Sequence, residues 1–135
     1  IYTGPVAPEV LEAHAGLADE IPGLGVLAIT SWDRLYHDWQ ASVTKPSNGS
    51  GRGACHLADM LSRLSPRAGL VTVQDGHPAS LSWIGSASGR RLYPLGVAGF
   101  GQSGDLPDLY RTYRIDAEAI IDMAASACVD AARAA

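Results

Sequence analysis

Three stretches of the chain hold residue types that could do chemistry. Asp75, His77 and Ser80 put a carboxylate, an imidazole and a hydroxyl within one short stretch, the ingredients of a nucleophilic triad. Members of such a set must converge on one point, whereas residues spread along a single strand-to-helix turn point apart. His77 therefore reads as a helix cap or a partner of Asp75.

The second stretch, Gly99-x-Gly101-x-x-Gly104, spells the dinucleotide fingerprint between a candidate strand and a candidate helix. Two features oppose a nucleotide there. Asp105 and Asp108 stand at the helix start where a pyrophosphate would sit, and no further strand bearing an acidic residue follows about twenty positions on. Gly99, Phe100, Gly101, Ser103 and Asp105 are accordingly read as a structural turn.

The third stretch, Lys45 to Gly53, has two cations in a Gly-, Ser- and Pro-rich sequence and reads as a solvent-exposed loop. His14, His37 and His56 have no acidic or thiol company at ligand intervals, and the adjacent Cys55 and His56 cannot readily face one ion from a helix. The residues thus supply no catalytic, cofactor-binding or metal-ligating set.

Elements must position these stretches, and their periodicity is legible. Ile1 to Thr3 reads as the end of a strand cut off at Gly4-Pro5, so the chain is expected to be a piece of something longer. From Pro8 to Ile21, Val10, Ala13, His14, Leu17 and Ile21 recur at helical spacing. Leu24 to Ile29 is nearly continuous apolar sequence, as in a strand covered on both faces. A helix capped by Thr30 or Ser31 follows, with Trp32, Leu35, Tyr36 and Trp39 on one stripe. That stripe reads first as core packing beneath a sheet and second as a partner interface.

Cys55 to Leu64 predicts another helix, Leu70 to Val73 a buried strand, and Pro78 to about Ala87 a helix. Leu92, Leu95 and Val97 mark a strand running into the glycine turn, after which Asp105 caps a helix. Asp116 caps the last, Ala-rich helix from Ala117 to Ala134. This order reads as an α/β sandwich on a mostly parallel sheet.

Composition bounds the rest. A chain of 135 residues with 47% apolar and 18% charged residues is one globular domain able to bury a core. A net charge of −4, with ten scattered Lys and Arg residues, speaks against nucleic acid as a partner. No apolar run approaches the roughly twenty residues of a membrane span. Cys55 and Cys128 lie far apart in sequence and read as buried thiols of a reducing compartment, which with the lack of an export pattern gives a cytoplasmic expectation.

One resemblance covers essentially the whole chain. The succession of strand, Gly-Phe-Gly-x-Ser, acidic capped helix, Ile-Asp and Ala-rich terminal helix resembles the C-terminal domain of transketolase-like thiamine-diphosphate enzymes. Thr30-Ser31-Trp32 and the block from Leu95 to Ser103 are most similar to the homodimeric pyruvate dehydrogenase decarboxylating component. Ala98 and Gln102 depart from that pattern, where an acidic residue and an Arg are usual.

The resemblance implies a three-layer α/β/α sandwich with a mostly parallel, mixed sheet, forming the third domain of a homodimeric enzyme. It implies thiamine diphosphate and magnesium for the full-length enzyme, held by its N-terminal and middle domains, and none in this domain. The implied role is in dimerisation and in packing against those domains, with a lipoyl acyltransferase component as a further partner. The same fold in a transketolase or a deoxyxylulose-phosphate synthase is the alternative chemistry; a stand-alone nucleotide- or protein-binding module is the alternative class.

Overall fold

The computed structural model describes residues 1–44 and 55–133, so the Lys45 to Gly53 loop falls outside the described residues. Helix α1 (Ala7–Leu17) begins with a proline in its first turn and turns Val10, Ala13 and Leu17 inward, the spacing of a single helical face. Helices α2 (Trp32–Thr44) and α3 (His56–Leu61) come next, followed by strand β1 (Leu70–Val73). A 3-10 turn (Pro78–Leu81) and helix α4 (Trp83–Ser88) lead to strand β2 (Leu92–Leu95), and helices α5 (Leu106–Thr112) and α6 (Ala117–Arg133) close the order.

β1 and β2 pair in parallel, Leu70 opposite Leu92 and Val73 opposite Leu95. Residues 1–3 add a further lane, because Tyr2 bridges in parallel to both Ala28 and Val73. The fold is therefore mixed α/β on a small, two-strand parallel sheet, with two single-bridge neighbours beside it.

Side chains alternate across a strand, and here the alternation divides the core in two. Val73 and Leu95 join Val6, Val10, Ala13, Tyr110, Ile115 and Ile120, beneath α1 and α6. Leu70 and Leu92 join Ile29, Leu57, Leu61, Leu81 and Ile84, beneath the helices between residues 32 and 88. Leu57, Leu81 and Ile84 are fully buried, and each such side chain contributes about 1.5–3 kcal/mol.

Several expectations shift on inspection. Leu24 to Ile29 forms no strand, only the bridge at Ala28. Pro22, Gly23 and Gly25 weaken its start, Gly23 taking φ of +84°, and residues 24–26 have no strand beside them. The helix expected from Pro78 to Ala87 breaks into the 3-10 turn and α4, joined at Ser82. The helix expected from Pro8 to Ile21 ends at Leu17, that from Cys55 to Leu64 at Leu61, and the strand from Leu92 at Leu95. Cys55 is buried as expected, whereas Cys128 lies exposed on α6.

Candidate functional site

All four parallel lanes end on the same side, so the segments after Thr3, Ile29, Val73 and Leu95 gather along one edge. The chain order of those lanes reverses between residues 1–3 and β1, and in open α/β sheets such a switch point is where ligands enter. At that point Asp75 faces Gly4: its Oδ1 stands 2.9 Å from where a Cβ on Gly4 would lie, and Gly4 holds φ of +82°. The buried Gln74 side chain donates to the His77 carbonyl at 2.7 Å and fastens the turn.

His77 is a cap. Its Nδ1 accepts a hydrogen bond from the Ala79 N–H at 3.2 Å, at the N-terminus of the 3-10 turn.

Tyr110 of α5 is the residue sequence reasoning missed. It is 6% exposed, and its hydroxyl has no hydrogen-bond partner. Burial pushes the phenol above its ordinary range, and the charges of Asp75 and Glu9 push it further. It is a protonated donor in neutral solution, unsuited to act as a base. Its Leu-Tyr-Arg context carries no signal that the ring turns inward.

The glycine turn lies beyond β2 and is open. Ala98 through Asp108 are exposed, Phe100 fully so at 102%, and Tyr113 donates to the Phe100 carbonyl at 2.9 Å. A Cβ on Gly99 or Gly101 would meet nothing within 4 Å, and neither glycine has a positive φ. The sterically required glycine is Gly96, whose Cβ would fall 2.5 Å from the Gly76 carbonyl oxygen and 3.0 Å from Pro78. Ser103 is exposed within this loop, and Asp105 occupies the N-cap position of α5 with extended backbone, but its side chain makes no capping bond. A diphosphate does not fit this loop: two carboxylates, Asp105 and Asp108, stand at the start of a seven-residue helix.

The aromatic stripe divides. Leu35 and Trp39 pack against the second core cluster, while Trp32 is 43% exposed and no residue of α2 is fully buried. Trp39 stacks on Trp83 at 5.5 Å and 27°, and Tyr36 meets Trp83 edge-on at 5.4 Å. Trp83 of α4 was not legible as the partner of this stripe, because the two helices are distant in sequence. The result is an aromatic surface, half in the core and half in solvent.

Among the described residues, no group of three or more His, Cys, Asp or Glu is placed to hold a metal ion, and no helix is long and apolar enough to cross a membrane. No family model, curated protein or solved structure matches the chain.

Proposed function

We propose that this chain is the C-terminal, non-catalytic domain of a thiamine-diphosphate-dependent pyruvate dehydrogenase decarboxylating component. In this reading the parallel lanes are the centre of a three-layer α/β/α sandwich, with α1 and α6 on one face and α2, α3 and α4 on the other. The full polypeptide decarboxylates pyruvate and acetylates a lipoyl carrier in the cytoplasm. Its N-terminal and middle domains hold thiamine diphosphate and magnesium, and this domain packs against them and within a homodimer.

The observation that carries the reading is the aromatic face of α2. A helix with Trp32, Leu35, Tyr36 and Trp39 on one side and no fully buried residue has apolar surface left for a neighbour. The exposed Phe100 loop at the sheet edge adds a second contact surface of the same kind. The resemblance of the Leu95 to Ser103 block supports the choice of the decarboxylating component.

Calorimetric titration of thiamine diphosphate with magnesium into the isolated chain tests the division of labour. No binding is expected, and tight binding would overturn it.

A further inference from the structure

We draw no further inference here: the strongest candidate, the apolar groove of about 670 Å³ walled by α1, α6 and residues 24–27, carries nothing because nothing in the structure shows what covers it.

Discussion

Glu9, in the first turn of α1, accepts a hydrogen bond at 2.8 Å from the backbone N–H of Ala117, the first residue of α6. A carboxylate at a helix start satisfies an otherwise unpaired donor and meets the positive end of the helix dipole. The sequence pointed to Asp116 for that task. Instead a residue 108 positions away performs it, and so ties the first helix to the last.

Glu9→Ala is expected to cost about 1 kcal/mol, in the range of a lost helix cap. Urea unfolding of the two chains measures it, and faster amide exchange at Ala117 locates the effect. Asp116→Ala is expected to cost less.

Glycine positions give a second prediction. Gly96→Ala places a methyl 2.5 Å from the Gly76 carbonyl oxygen and should destabilise by about 1–3 kcal/mol through overpacking. Gly99→Ala meets open space at a permitted backbone conformation, and is expected to be neutral or to stabilise by about 0.4–1 kcal/mol. Thermal unfolding of the pair distinguishes them.

These cases show what the sequence carried. Helical faces such as Val10, Ala13 and Leu17, and the apolar run from Leu70 to Val73, were legible because period and burial coincide locally. The four glycines between Gly96 and Gly104 fall in the irregular stretch between β2 and α5, but the sequence does not tell which of them is constrained, since that depends on Gly76 and Pro78 arriving from another loop. Leu24 to Ile29 had the composition of a strand, yet pairing needs a neighbour as well as apolar residues, and only Ala28 has one. His77 as a cap was readable from its position before Pro78, a local relationship. Tyr110 beside Asp75 and Glu9, and Trp83 beneath Trp39, arise from tertiary packing alone.

Tyr110→Phe removes a buried hydroxyl that has no partner. The variant should be as stable as the parent or more stable by up to about 1–2 kcal/mol, because it relieves an unmet desolvation cost. A loss of stability would show that the phenol bonds to a group of the native protein.

The aromatic face separates packing within the domain from packing against a partner. Trp39→Ala should destabilise the isolated chain by about 2 kcal/mol, since the ring stacks on Trp83 and borders the core. Trp32→Ala should change it by less than about 0.5 kcal/mol, as for an exposed site, and should weaken the proposed homodimer. Unfolding curves and analytical ultracentrifugation read the two effects.

For a chain that starts at Ile1, burial lowers the terminal amino group to about 6 from an ordinary value of 8.0. The charged form is disfavoured in the folded state, so the unfolded chain binds more protons between those values. Stability is therefore full above about pH 8 and falls as the pH drops through the window to about 6, by on the order of 2–3 kcal/mol. Acetylating the amino group should flatten that part of the profile, whatever the histidines contribute to both samples.

In the proposed reading these residues are the packing domain of an enzyme whose chemistry lies elsewhere in its chain. Sequencing the coding region upstream of Ile1 tests it most directly. Two further domains with the motifs that hold a diphosphate and magnesium are expected in frame. An initiation codon beside Ile1, or an upstream domain of unrelated kind, would contradict it.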